Sequence, residues 1–144
     1  MSRVTILGAG AVGTRVARHL LADGSADPPN AIDRVLLRDV DPERLAGALA
    51  LLDRAATEGR VEVEHAPFPA ELDADVVVVA TPRGTQVAAV KSALSAGVPV
   101  VLSGDGLAET VAVARLADDA HERGVPVVLG AGFTPGLSCV LAAH

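Results

Sequence analysis

Three glycines near the start of the chain, Gly8, Gly10 and Gly13, stand in the spacing G-x-G-x-x-G within "VTILGAGAVGTRVARHL", Val4 to Leu20. Each position answers a separate need of a phosphate-binding turn. The first glycine permits a tight passage from strand to helix. The second lacks a Cβ, so a pyrophosphate can approach the backbone. The third lets the helix sit close to the strand. The first N–H groups of such a helix have no partner within it and point at an anion. On this reading Gly8, Gly10, Ala11, Val12 and Gly13 cradle the pyrophosphate of a dinucleotide, Ala11 and Val12 through backbone amides. The motif alone is weak in a chain rich in glycine and alanine, so its context decides. Here it follows an apolar strand-like run and opens a helix-like one, the context that dinucleotide binding requires.

A second element tests the first. A dinucleotide site needs an acidic residue at the end of the second strand, to accept the adenosine ribose hydroxyls. Asp39 follows "RVLLR" and meets that need. It lies 26 positions after Gly13 (39 − 13), beyond the usual spacing of about 20, and the Pro-containing loop "DGSADPPNAID" accounts for the excess. A carboxylate there repels a 2′-phosphate, so Asp39 favours NAD. Arg38 and Arg44 lie close enough in sequence to leave NADP open. Thr81-Pro82-Arg83-Gly84 follows the fourth strand-like run, where Thr81 and Pro82 would pass beside the ribose and nicotinamide side. Ser103-Gly104-Asp105-Gly106 and the segment from Gly130 to Gly136 follow the fifth and sixth.

The elements that must position these residues alternate along the chain. Val4–Leu7 is a strand, followed by a helix from about Ala11 to Ala22 with Val12, Val16 and Leu20 on one face. Arg34–Arg38 is the second strand. Asp41 and Pro42 then supply an N-cap and a first helical residue, opening a helix that should run to about Ala56. "RVEVEHA" alternates and reads as a third strand near the sheet edge. "ADVVVVAT" has four consecutive valines, as a strand buried on both faces would. A helix from about Thr85 to Ala96, the strand "VPVVLS", a helix from about Leu107 to Arg123 and the strand "VPVVLG" follow. Thr134 and Pro135 start a last helix. The rhythm predicts an α/β fold: a doubly wound, mostly parallel sheet of the Rossmann type, about six strands with helices on both faces. Residues 1–134 form the dinucleotide-binding domain. Residues 135–144 begin a helix that stops without a capping glycine or polar tail, which predicts a further substrate domain beyond it.

Composition bounds the function. The 144 residues suit one domain. Half are hydrophobic and only two are aromatic, so Val, Leu, Ala and Ile must build the core. The formal net charge of −6 disfavours nucleic acid and anionic membranes as partners. No apolar stretch is long enough for a signal or a span, and we expect a cytoplasmic protein. One cysteine, Cys139, excludes an internal disulfide and a multi-cysteine zinc site. No cation near it in sequence would activate it as a nucleophile, and a small buried residue is the simpler reading. His19, His65, His121 and His144 show no metal-ligand spacing. His19 and His121 read as lying on solvated helix faces, as do Asp118, Asp119 and Glu122. Ser138 stands in no nucleophile elbow. No catalytic residue and no metal ligand is nominated.

The stretches "VTILGAGAVGTRVARHL", "VLLRDVDPERL", "DVVVVATPRGTQVAAVKSALSAGVPVVLSGD" and "GAGFTPGLSCVLAAH" together resemble the N-terminal half of saccharopine dehydrogenase-like oxidoreductases. The Gly-x-x-Pro-Gly-Leu pattern of that family after the sixth strand is here Gly132-Phe133-Thr134-Pro135-Gly136-Leu137. The "ATPRGTQVAAVKSALSAGVPVV" segment is also similar to the glucose–fructose oxidoreductase-like family. That family has Glu-Lys-Pro after the fifth strand, with the lysine catalytic, where this chain has Ser103-Gly104-Asp105. The first resemblance implies an NAD(P)-dependent oxidoreductase acting at a C–N bond of an amino acid or imine-forming small-molecule substrate. It also implies a second, α+β domain that mediates dimers, and the apolar "LSCVLAA" predicts a homodimer. Three alternatives stay open: a non-catalytic NAD-sensing or regulatory module, a glucose–fructose oxidoreductase-like dehydrogenase, which Ser103-Gly104-Asp105 disfavours, and a methyltransferase binding S-adenosylmethionine on the same fold.

Overall fold

The computed structural model describes residues 2–22, 32–67, 71–132 and 141–143. Its elements alternate as the sequence pattern requires: β1 (Arg3–Leu7), α1 (Ala11–Leu20), β2 (Arg34–Asp39), α2 (Pro42–Leu51), α3 (Asp53–Thr57), β3 (Val61–His65), β4 (Val76–Val79), α4 (Gln86–Ala96), β5 (Val100–Leu102), α5 (Leu107–Ala114), α6 (Ala117–Arg123) and β6 (Val127–Val128). The six strands form one parallel sheet in the order β3-β2-β1-β4-β5-β6. The order reverses between β1 and β4. In an open α/β sheet that switch point leaves a crevice beyond the strand carboxyl ends, where ligands bind.

The valines of β4 show why the sheet is covered on both faces. Side chains alternate along a strand. Val77 and Val79 are buried against Val90 and Leu94 of α4. Val78 and Ala80 pack on the opposite face, in the cluster built by Ile6, Ala17, Leu37 and Leu45. Each fully buried Val, Ile or Leu contributes about 1.5–3 kcal/mol relative to an exposed one. β3 lies at the sheet edge. Val61 is buried there, but Val63 is 37% exposed and Glu64 is partly covered by its pairing with Arg38, so the Val and Glu alternation does not sort into one covered and one wet face.

Three helix expectations are corrected. The face that α1 buries is Gly13, Thr14 and Ala17, continued by Leu21, whereas Val12 is 53% exposed and Val16 and Leu20 are only partly buried. The buried stripe is turned by one residue, roughly 100°, because small side chains let the helix approach the sheet more closely than valines would. The helix after Pro42 ends at Leu51, not Ala56. The Leu52 N–H is shared between the Ala48 and Leu49 carbonyls, tightening the turn while its side chain stays in the core. The helix from Leu107 divides at Arg115–Leu116 in the same way, where the Leu116 N–H turns to the Val113 carbonyl and the side chain packs on the core. Neither boundary carries Gly or Pro. The readings of Thr134, Pro135, Ser138 and Cys139 lie outside the described residues.

Candidate functional site

The glycine motif folds into the loop between β1 and α1, and its three glycines meet three different surroundings. Gly8 has φ +99°, and a Cβ there would come within 2.5 Å of the Ala80 carbonyl oxygen at the end of β4. Its N–H donates to the Arg38 carbonyl at 2.8 Å, which ties the turn to β2. At Gly13 a Cβ would overlap the Gly8 carbonyl oxygen and stand 3.2 Å from Ile6 Cγ2. This is the contact that lets α1 sit on the strand. At Gly10 a Cβ would meet nothing within 4 Å. The space over Gly10 is therefore open for a ligand to approach the backbone.

The start of α1 is prepared for an anion. Gly10 is its N-cap and no side chain caps it. No acidic residue stands in the first turn. α2 is the contrast within the same molecule: the Asp41 carboxylate accepts from the N–H groups of Glu43 at 2.9 Å and Arg44 at 3.3 Å, and Pro42 has no N–H to satisfy. One helix has filled its N-terminus with its own side chain. The other has left it free, beside the glycine whose open face a Cβ would fill. These features fit a dinucleotide pyrophosphate.

Asp39 lies beside the glycine loop. It is 8% exposed, at the end of β2. Its Oδ2 accepts from the Ala9 N–H at 2.7 Å and its Oδ1 from the Asp41 N–H at 2.9 Å. The carboxylate thus pins the glycine loop to β2. A carboxylate offers about four acceptor sites, so capacity remains for ribose hydroxyls. A crevice of about 210 Å³ brings Asp39 together with Gly8, Thr81 and Pro82, and Leu7, Arg38, Val40, Arg44, Ala66 and Thr85 complete it. A neighbouring groove of about 380 Å³ is lined by Gly10, Ala11 and Thr14, with Arg15, Arg18 and Arg44 along its side. Val12 is exposed at the mouth of α1 and Gly13 is buried beneath it.

The two arginines that left NADP open separate here. Arg38 is 7% exposed. Its Nε and Nη2 donate to Glu64 Oε2 at 2.9 and 2.6 Å, and its Nη1 to the Glu71 carbonyl at 2.9 Å. It braces β2 against β3 and the segment beyond. Arg44 stays half-exposed, with its Nε 3.2 Å from Asp41 Oδ2, and lines both the crevice and the groove.

Glycines of the later loops serve the chain itself. A Cβ at Gly104 would overlap the buried Gln86 side chain, and one at Gly132 would run into the Ser103 carbonyl. Sequence reasoning passed over Thr85, Val40 and Ala66, which have no residue-type signal for binding. It also passed over Glu109, whose carboxylate accepts from Gly84 and Gln86 of another loop. Only the strand register and crossovers bring those groups together. His19 and His121 are exposed on their helices, as are Asp118 and Glu122, with Asp119 partly covered. Among the described residues no group of three or more His, Cys, Asp and Glu could hold a metal ion, and no helix is long and apolar enough to cross a membrane.

No protein-family model matches the chain, and no curated protein matches it in sequence. Solved structures do. GenD2 from gentamicin A biosynthesis, in complex with NAD, is similar over 88% of this chain and 33% of its own length, at 26% identity and TM-score 0.66. Saccharopine dehydrogenase (L-Glu forming) from Saccharomyces cerevisiae is similar over 99% of this chain and 30% of its own, at 24% identity and TM-score 0.68. Biliverdin reductase from Synechocystis, in complex with biliverdin and NADP+, is similar over 88% of this chain and 36% of its own, at 25% identity and TM-score 0.63. The chain therefore spans about a third of the length of each. It has the Rossmann fold of the NAD(P)-binding domains of oxidoreductases.

Proposed function

We propose that the chain is the NAD(P)-binding portion of an oxidoreductase of the saccharopine dehydrogenase type, acting at a C–N centre of an amino acid or imine. The observation that carries the cofactor part is the pairing of an open Gly10 face with an uncapped α1, beside a buried Asp39 at the end of β2. In this reading the amides of Gly10, Ala11, Val12 and Gly13 hold the pyrophosphate. Asp39 accepts the adenosine ribose hydroxyls. Thr81 and Pro82 wall the crevice across the switch point. When bound, the nicotinamide supplies or accepts a hydride, and this chain supplies its position. The substrate and the acid or base that moves a proton belong to a second domain. The choice of C–N chemistry rests on the sequence resemblance and on the likeness to saccharopine dehydrogenase, and fold alone does not set it.

The test is a titration of the chain with NADH and NADPH, followed by the reduced nicotinamide's fluorescence. The chain has no Trp or Tyr to interfere. Saturable binding, tighter for NADH, is expected. ADP-ribose should compete and S-adenosylmethionine should not, since the latter has no pyrophosphate. Absence of NADH, NADPH and ADP-ribose binding overturns the reading. Tighter NADPH keeps the site and assigns the discrimination to Arg44, the half-exposed cation that lines both cavities.

A further inference from the structure

Glu109 stands in the first turn of α5, yet it serves α4. Its Oε1 accepts from the Gly84 N–H at 2.8 Å and from the Gln86 N–H at 3.2 Å. The Gln86 N–H is an orphan donor of the first turn of α4, which its own N-cap does not satisfy, and the Gly84 N–H belongs to the loop just before that cap. Thr85 occupies that position, and its hydroxyl instead donates to the Pro82 carbonyl at 2.9 Å and shares a hydrogen bond of 2.6 Å with the Thr81 hydroxyl. The cap of α4 is therefore supplied by the next crossover. The other carboxylate oxygen, Oε2, is buried with no hydrogen-bond partner among the described residues. It lies against Gly106, on whose open side Arg83 also rests.

The consequence falls on the crevice. Thr81, Pro82 and Thr85 form one of its walls. That wall hangs between the end of β4 and the start of α4, and Glu109 holds the far end. We propose that Glu109 is a positioning residue for the nicotinamide half of the cofactor. It locks the loop after β4 onto the loop after β5, so the wall stands ready before the ligand arrives. The assignment to that half follows from topology. A doubly wound sheet has two mononucleotide-binding halves, and both loops joined by Glu109 belong to the half that contains β4, β5 and β6. The inference rests on the dinucleotide reading above and deepens it.

The experiment compares the chain with its Glu109→Ala, Glu109→Asp and Glu109→Gln variants. NADH affinity is read by nicotinamide fluorescence, ADP affinity by calorimetry and folding by thermal unfolding. ADP carries the adenosine and pyrophosphate but nothing beyond them. Glu109→Ala should weaken NADH about tenfold, the scale of one lost charge-assisted hydrogen bond. ADP should change less than about threefold on the same scale. Glu109→Asp, one methylene too short to reach both amides, should behave like Ala and carries the test if Ala does not fold. Glu109→Gln keeps a carbonyl oxygen for Gly84 and Gln86 and should recover most of the NADH affinity. Equal losses for NADH and ADP, no loss of NADH, or a Gln variant no better than Ala would each overturn the proposal. An unmodified chain that binds ADP but gains nothing from the nicotinamide half overturns it while leaving the dinucleotide site standing. One that binds neither ligand overturns both.

Discussion

Gly10→Ala should abolish the anion cradle while leaving the fold in place. Gly10 has φ −72° and ψ −170°, extended backbone that alanine adopts freely. Its added methyl would meet no atom within 4 Å. Two small terms then act on stability. Alanine is a poorer N-cap than glycine, by several tenths of a kcal/mol. It also restricts the unfolded chain, which stabilises by about 0.4–1 kcal/mol. They oppose, so the net change stays within about 1 kcal/mol, a melting shift of under about 5 °C for a domain of this size. In the proposed reading, the space the methyl fills is the space a pyrophosphate needs. Binding of NADH should weaken at least tenfold, roughly 1.4 kcal/mol. Gly13→Ala is the control with the opposite balance. Its Cβ would overlap the Gly8 carbonyl oxygen and stand 3.0 Å from the carbonyl carbon. α1 cannot retreat easily, since Ala17 is fully buried and Thr14 Oγ1 donates to the Ala9 carbonyl at 3.1 Å. The cost should reach about 3 kcal/mol, the upper range for overpacking, or about 10 °C. Far-ultraviolet circular dichroism reads the melting and nicotinamide fluorescence reads the binding. A Gly10→Ala chain that binds NADH as the unmodified one does would refute the assignment of that open face. A Gly13→Ala chain that melts unchanged would refute the packing argument.

Asp39→Ala should destabilise by about 2–4 kcal/mol, because the N–H groups of Ala9 and Asp41 both lose their acceptor. It should also erase the preference for NADH over NADPH, and an unchanged ratio would show that another residue sets it. Arg38→Ala should cost about 1–3 kcal/mol in urea unfolding. The guanidinium side chain is 8% exposed but Glu64 is 43% exposed, so solvent screens one side of the pair; an unaltered midpoint would mean the brace between β2 and β3 carries no net stability. We propose further that copies of the chain associate through the apolar tail, where Leu141 is 63% exposed. Sedimentation equilibrium should detect a dimer, and a strict monomer at high concentration removes the idea.

What could be read in the sequence was local. The alternation of apolar runs with helix-like stretches predicted six parallel strands because each crossover carries its own turn residues. The Asp41–Pro42 cap and the edge position of β3 followed from residue type alone. So did the tight turn at Gly8 and the close packing at Gly13, since each need arises within a few residues. The face of α1 was misjudged because hydrophobic spacing favours Val12 and Val16. Proximity to the sheet instead selects Gly13, Thr14 and Ala17. The breaks at Leu52 and Leu116 left no trace, for they come from side chains that must reach the core without a breaker residue. Glu109 was illegible for a deeper reason. Three residues after Gly106 it reads as an ordinary first-turn acid of its own helix. Only the pairing of β4 with β5 reveals that it caps its neighbour.

The same geometry changes how cofactor preference must be measured. In the proposed reading Asp39 discriminates between the cofactors, and it is also the clip that holds the Ala9 amide, one residue from Gly10. Removing it loosens the pyrophosphate cradle, so affinity for NADH and NADPH should both fall, and only their ratio reports on the 2′-phosphate. Arg44 has no such second duty toward the glycine loop. It is 53% exposed, paired with Asp41, and lines both cavities. Arg44→Ala should therefore leave NADH within about twofold and weaken NADPH by up to about fivefold, the scale of one screened charge contact. In the Asp39→Ala, Arg44→Ala double variant the NADPH losses should exceed their sum, because the arginine gains most once the repelling carboxylate is gone. Additive losses would mean that the two side chains do not face the same phosphate, and that the preference is set by the loop they share rather than by charge.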